Sequence, residues 1–260
     1  LDMYIASTTG MFLDTGEKIC IVSKDRGYAA VRDFWHSLRG AEILLGETIE
    51  ECFLHSVAND DERITFEYKD VALGSTQAPQ VILTETDEPD KHVYELYLNR
   101  NGFVTHAKET HYRNDHIAGK ATWDFAYNAD NQLKDAKCSA DKKHIVLEYQ
   151  NGNVVKTTTT AAGKPTEVTT ITYATASTRR IENKTGVMLF ATTLDADLDY
   201  LEAAYYAGLL GKPSKNLPLQ SEKSGDKANL KWTLDSNGNP TALNQSFSNS
   251  SERFSTSFTW

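Results

Sequence analysis

The chain has 260 residues, a formal net charge of −9, and a composition that is 40% hydrophobic and 24% charged. That balance belongs to a folded protein, and the length suits one large all-β domain or two ordinary ones. Nucleic acid is set aside as a partner because its recognition leaves a basic footprint. No apolar run approaches the roughly 20 residues of a membrane-spanning helix, and the longest candidates, 43–45 and 187–191, fall far short.

The N-terminal region carries no visible signal peptide, and a start at Leu1 fits a trimmed, mature or engineered chain. Cys20, Cys52 and Cys138 are too scattered for a disulfide framework or a zinc site. They read first as buried small hydrophobes, with a Cys20–Cys52 bridge left open. Residues 28–45 suggest a helix, since Val31, Phe34, Trp35 and Leu38 fit one helical face.

From about residue 62 onward one unit recurs: a strand closing on an aromatic residue, a polar turn, then a β-branched or Thr-rich strand. The turns are Asn99–Gly102, Asn128–Asn131, Gln150–Asn153 and Asp235–Asn239. Asn and Gly tolerate the positive φ that tight hairpins require. Within the strands, Trp123, Phe125 and Tyr127 fall on one face, and Phe254, Thr256, Phe258 and Trp260 on another. Tyr97, Tyr127, Tyr149 and Tyr173 recur at a spacing too loose for a propeller or solenoid. A meander of hairpins is expected instead.

Residues 195–208 break the pattern as a helix or pair of turns. Asp195, Asp197 and Asp199 suit its start, Leu198, Leu201, Ala204 and Tyr205 form a stripe, and Gly208 or Gly211 ends it. A Lys- and Ser-rich loop, 212–227, follows. Such a helix would cover one end of the core.

The hairpin unit, the acidic Leu/Tyr-rich helix and the segment Leu209-Leu-Gly-Lys-Pro-Ser-Lys-Asn-Leu-Pro218 together resemble a family of Bacteroidetes lipoproteins of unknown function. The closing Trp232–Thr241 and Phe258-Thr-Trp260 also match that family. The resemblance covers roughly 62–260 and implies a porin-like barrel fold and an envelope location after export and lipidation at a Cys. No lipobox is present, so the only membrane link it implies is an N-terminal lipid anchor that was removed or never existed. The family brings no catalytic residues.

The chemistry-bearing candidates are few. His106, His111 and His116 recur every five residues, and a turn could bring His111 and His116 together as metal ligands, although zinc needs three or four that converge. On a strand, His106 and His111 face opposite ways. Trp123, Trp232 and Tyr127 are the candidate ligand-binding residues, as an aromatic platform for a sugar ring; strand tryptophans are more often core. The acidic runs at 60–62, 85–90 and 195–199 invite a glycosidase pair or a calcium loop, and solvated charge with helix-terminal electrostatics explains them more simply. An outer-membrane barrel would need a lipid-facing apolar band that Lys156–Thr160 and Lys134–Lys137 do not supply.

The expected fold is mainly β: an antiparallel hairpin meander forming a curled sheet or soluble barrel, with one or two helices covering the core. It is expected as a single β-rich domain, with 1–60 as a possible distinct segment. The expected role is a non-enzymatic envelope domain binding a ligand, glycan or partner protein. A carbohydrate hydrolase and a structural or adhesion module are the alternatives, and no cofactor is implied.

Overall fold

The computed structural model describes residues 9, 13, 19–23, 28–39, 43–46, 56–58 and 63–258. The chain divides into two compact units, Leu1–Val57 and Ala58–Trp260. In the first, β1 (Ile19–Val22) and β2 (Ile43–Gly46) pair in parallel, and α1 (Ala29–Arg39) supplies the crossover that a parallel pair needs. Ile21, Tyr28 and Ile43 are buried together, with Val31 and Trp35 against them. The helix expected over 28–45 is therefore shorter, because the apolar 43–45 run pairs as strand. Cys20 is disulfide-bonded, with its partner outside the described residues, while Cys138 is free and buried. The first reading of all three cysteines as inert hydrophobes thus fails at Cys20. A short strand, β3 (Ser56–Ala58), falls at the division.

The second unit is the hairpin meander. Its strands are β4 (Arg63–Tyr68), β5 (Val81–Asp87), β6 (Asp90–Leu98), β7 (Val104–Arg113), β8 (His116–Tyr127) and β9 (Leu133–Cys138). They continue with β10 (Lys143–Gln150), β11 (Asn153–Thr160), β12 (Glu167–Thr172), a short pair β13 (Ile181–Glu182) and β14 (Asn216–Leu217), then β15 (Gln220–Lys223), β16 (Asp226–Leu234), β17 (Pro240–Phe247) and β18 (Arg253–Ser257). All but β13 and β14 form one sheet in which each strand pairs antiparallel with the next, and β15 follows β12 directly. Its first and last strands do not pair, so the sheet is open rather than a closed barrel.

The turns explain the recurring spelling. The Asn99 side-chain oxygen accepts the N–H groups of Asn101 and Phe103 at 2.9 and 3.0 Å. Asn128 does the same for Asp130 and Gln132, and Asp235 for Asn237 and Asn239. Each Asx cap tightens the chain so that a residue at positive φ can close it: Gly102 at 82°, Asn131 at 61°, Gly238 at 83°. Asn151 and Gly152, at 53° and 79°, form the two-residue hairpin turn that Asn-Gly favours. The strand before each turn slips register by a β-bulge, between Tyr97 and Leu98, Ala126 and Tyr127, Glu148 and Tyr149, and Thr233 and Leu234.

Strand alternation gives the sheet one covered and one open face. Leu83, Tyr94, Leu96, Ala107, Trp123, Ala136 and Ile145 lie on the covered face and are fully buried. What covers them is the segment between β12 and β15. It contains α2 (Phe190–Leu194), a 3₁₀ turn (Asp199–Leu201) and α3 (Glu202–Tyr206), so the helix or pair of turns expected over 195–208 is a 3₁₀ turn running directly into one short helix. Its stripe is confirmed: Leu198, Leu201 and Ala204 are fully buried and Tyr205 nearly so, and Gly208 ends α3 at φ 79°.

From α3 the chain becomes a strap across the turns at one end of the sheet. The Val104 N–H donates to the Leu209 carbonyl at 2.8 Å, the Lys212 N–H to Asn131 at 2.9 Å, and the Lys215 N–H to Gly152 at 3.0 Å. Buried Gln132 donates to the carbonyls of Gly152 and Pro213. Beyond it, Trp232 donates its indole N–H to Pro218 at 2.7 Å.

Candidate functional site

The two faces of β6 and β7 carry different chemistry. On the covered face, beneath the insert, lies a polar seam. His92 and His111 sit opposite each other in the strand register, with rings 4.3 Å apart and nearly parallel. Glu109 accepts from His92 Nδ1 at 3.0 Å and from the Trp123 indole N–H at 3.2 Å. Asp90 accepts from His111 Nε2 at 2.8 Å and from the Arg113 guanidinium through two bonds of 3.0 and 2.9 Å. Those hydrogen bonds, Arg113 first, hold the Asp90 carboxyl below its ordinary value.

The insert closes the seam from above. Tyr200 packs 5.0 Å from His92, and Lys143 on β10 bonds both Asp197 and Asp199 at 3.2 Å. Burial raises the Asp199 pKa, and neighbouring Asp197 adds to the rise against the pull of Lys143. Asp197 is lowered despite its burial because it accepts the Asp199 N–H and faces Lys143. Asp195 pairs with Lys223 at 3.0 Å and accepts from Thr169. The acidic run 195–199 thus ties the insert to the sheet while Asp197 and Asp199 stay in contact with solvent.

The residues singled out in the sequence are dispersed. Trp123 is 0% exposed, stacked on Phe125, and Trp232 is 9% exposed in a cluster with Leu230 and Leu243. Neither ring offers a face to a sugar, so the platform expectation gives way to core packing. Tyr127 lies under the strap with its hydroxyl on the Val104 carbonyl at 2.6 Å. His111 belongs to the seam and pairs across to Gly119, whereas exposed His116 pairs with Arg113. The hairpin therefore leaves His111 and His116 three positions apart. Among the described residues no group of three His, Cys, Asp or Glu side chains is arranged to hold a metal ion.

On the open face is a cleft of about 500 Å³ lined by residues of three segments. The floor is Tyr97 and Leu98, one wall is Gly74–Thr76, the other is Thr105, His106 and Lys108, and the Asn99–Arg100 turn forms the rim. The 74–76 wall is fixed: the Gly74 N–H donates to the Leu98 carbonyl at 2.9 Å. Buried Gln80 donates to the Ala72 and Ser75 carbonyls and accepts the Leu98 N–H at 2.8 Å. Lys108 donates to the Tyr97 hydroxyl at 3.0 Å, which donates in turn to Glu95 at 3.1 Å, and the Tyr97 bond raises the Lys108 pKa. His106 bonds Asp124 at 2.8 Å.

Sequence reasoning passed over this cleft, although a signal for it exists. Tyr127 and Tyr149 immediately precede their turns, follow the bulge, and reach back to the carbonyls of Val104 and Leu133. Tyr97 stands one residue earlier, before the bulge. Strand alternation therefore turns it to the opposite face. The tyrosine that is out of step floors the cleft.

An open antiparallel meander whose covered face is filled by its own helical insert, with its one described cleft turned outward, defines a class of β protein that is neither propeller nor closed pore. The chain belongs to the family described as a domain of unknown function (DUF4595) with porin-like fold, which matches residues 51–242. A porin-like protein from Bacteroides uniformis ATCC 8492 is 21% identical, with a TM-score of 0.54 over 77% of this chain and 79% of that one. A porin-like protein from Bacteroides vulgatus ATCC 8482 is 12% identical, with a TM-score of 0.42 over 77% of this chain and 93% of that one. The first shares the fold. No curated protein matches the chain. The family and fold expected from the hairpins, the helix and the 209–218 segment are those found.

Proposed function

We propose that this chain is a non-enzymatic binding module of the cell envelope that takes a small ligand in the open-face cleft over Tyr97. The observation that carries the reading is the cleft itself. It is a concavity of about 500 Å³ with an aromatic floor and convergent polar groups, on a wall fixed by Gln80. Its volume falls in the roughly 300–1,000 Å³ usual for small-molecule sites. An envelope location is supported by the disulfide at Cys20, since such bonds persist in oxidising compartments, and by the porin-like fold of the family.

A hydrolase finds less support. The carboxylates nearest one another around the seam, half-buried Glu109 and exposed Asp199, are engaged by His92, Trp123 and Lys143. A ligand-observed NMR screen of small saccharides and organic acids tests the binding reading. Hits are expected to shift the amides of Ser75, Thr76 and Thr105, and Thr105→Trp, which fills the cleft, is expected to abolish them. Hits that map elsewhere and survive Thr105→Trp refute it.

A further inference from the structure

We infer that the cleft selects a small polyhydroxylated carboxylate, a sugar acid, with Arg100 as the residue that reads its charge; this rests on the cleft being the ligand site. In a chain of net charge −9, the cleft is lined by two permanent cations, Arg100 and Lys108, and by no carboxylate. The two cations are not equivalent. Lys108 is committed: its ammonium lies 4.9 Å from the Tyr97 ring centroid, bonds the Tyr97 hydroxyl, and is balanced through that hydroxyl by Glu95. His106 is held by Asp124 in the same way. Exposed Arg100 enters no ion pair among the described residues, so its guanidinium is the cleft's uncompensated charge.

Arg100 is also placed. It follows Asn99, whose side chain fixes the turn, and its stem lies against Gly74, where a Cβ would come within 3.1 Å of the Arg100 Cγ. Gly74 sits at φ 83°, so the wall both needs a glycine and uses the gap it leaves to seat the arginine stem. A planar guanidinium presents two parallel N–H donors that match one carboxylate. Around it stand neutral polar groups, Thr76, the Asn99 side-chain NH₂, and the hydroxyls of Ser75 and Thr105, which accept from the Gln77 N–H and donate to the Tyr97 carbonyl at 3.3 Å and each keep a further hydrogen-bonding position. One free cation, several neutral hydrogen-bonding groups and one aromatic floor describe a monoanion rich in hydroxyls. A bare anion would leave the neutral groups unused, and a neutral sugar would leave Arg100 unused.

The test is titration of the full chain with glucuronate, glucose, glucuronamide and inorganic phosphate, followed by NMR and calorimetry. Glucuronate is expected to bind at least tenfold more tightly than glucose or glucuronamide, with phosphate weaker still. Arg100→Gln is expected to remove that preference, and Arg100→Lys to restore only part of it. If glucose and glucuronate bind equally and Thr105→Trp abolishes both, the cleft stands and the charge reading is overturned. If phosphate matches glucuronate, the site reads charge alone and the sugar-acid inference fails. Binding of glucuronate that ignores both Arg100→Gln and Thr105→Trp overturns the cleft itself.

Discussion

Gly211→Ala is the sharpest test of the strap. Gly211 sits at φ 85°, and a Cβ there would lie 2.6 Å from the Asn131 carbonyl oxygen and 2.9 Å from the Tyr127 ring. The first cost is conformational, about 1–2 kcal/mol for a left-handed non-glycine residue. The second is steric: the obstacle is backbone of a turn already bonded to the Lys212 N–H, so relief means lifting the strap, at about 1–3 kcal/mol. Gly102→Ala isolates the first cost, because Gly102 has nearly the same φ, 82°, and nothing within 4 Å of its Cβ position. Any gain from stiffening the unfolded chain is the same in both and cancels. Urea unfolding followed by hydrogen exchange of the β8–β11 amides should place Gly211→Ala about 1–3 kcal/mol below Gly102→Ala, at equal m-values. Equal losses would mean that the strap does not rest on the turns as described.

Tyr127→Phe and Tyr149→Phe each remove a hydroxyl bonded to a strand carbonyl, at 2.6 and 2.7 Å, and should each cost about 1 kcal/mol in urea unfolding. The same change at Tyr97, whose hydroxyl bonds only Lys108 and Glu95 on the open face, should cost less. Asp90→Asn should show a pH signature. A carboxyl depressed by Arg113 and His111 stabilises the fold above its unfolded value of 3.8 and loses that contribution as pH falls through the folded value. The gap in unfolding midpoint between wild type and Asp90→Asn should therefore be widest near neutrality and close below 3.8; a gap that widens on acidification would overturn the assignment.

The meander was legible because each hairpin is written locally: an Asx cap, a residue at positive φ, and strands alternating every second position. The stripe Leu198, Leu201, Ala204 and Tyr205 was legible for the same reason, although the positive φ of Asp195 and Asp199 breaks the segment into short pieces that its composition does not reveal. What periodicity cannot supply is long-range. Asp197 and Asp199 read as helix-terminal charge until Lys143, more than 50 residues earlier, is seen between them. Trp123 and Trp232 read more readily as core than as platform but were not settled, because alternation tells which residues share a face and not what lies upon it. The insert decides that. The floor of the cleft leaves a local trace in the out-of-step Tyr97, but its wall was illegible because it depends on Gln80 and Gly74 meeting Leu98, and no local pattern encodes that meeting.

The ties between insert and sheet raise the question of whether they stabilise the fold or specify where the insert lies. A partly buried charge cluster gives up hydration on every member, and its mutual attraction does little more than offset that cost. Lys143 keeps only 14% side-chain exposure, between two carboxylates and 5.5 Å from the Trp123 ring centroid. Lys143→Met keeps the stem but leaves Asp197 and Asp199 facing each other. Complete burial of an orphaned charge would cost about 3–5 kcal/mol, and Asp197 is well exposed, so about 1–3 kcal/mol is expected here. The loss should shrink in acid, with Asp199 taking up the first proton because its pKa is already raised. Adding Asp197→Asn and Asp199→Asn removes the uncompensated charges and should recover most of the loss. If the triple variant is stable but its Tyr200–His92 contact disappears from NMR spectra, the cluster specifies the insert's position more than it strengthens the fold. A triple variant as unstable as Lys143→Met alone would refute this account, because the lost stability would then lie in the ammonium's own contacts and not in the charges it neutralises.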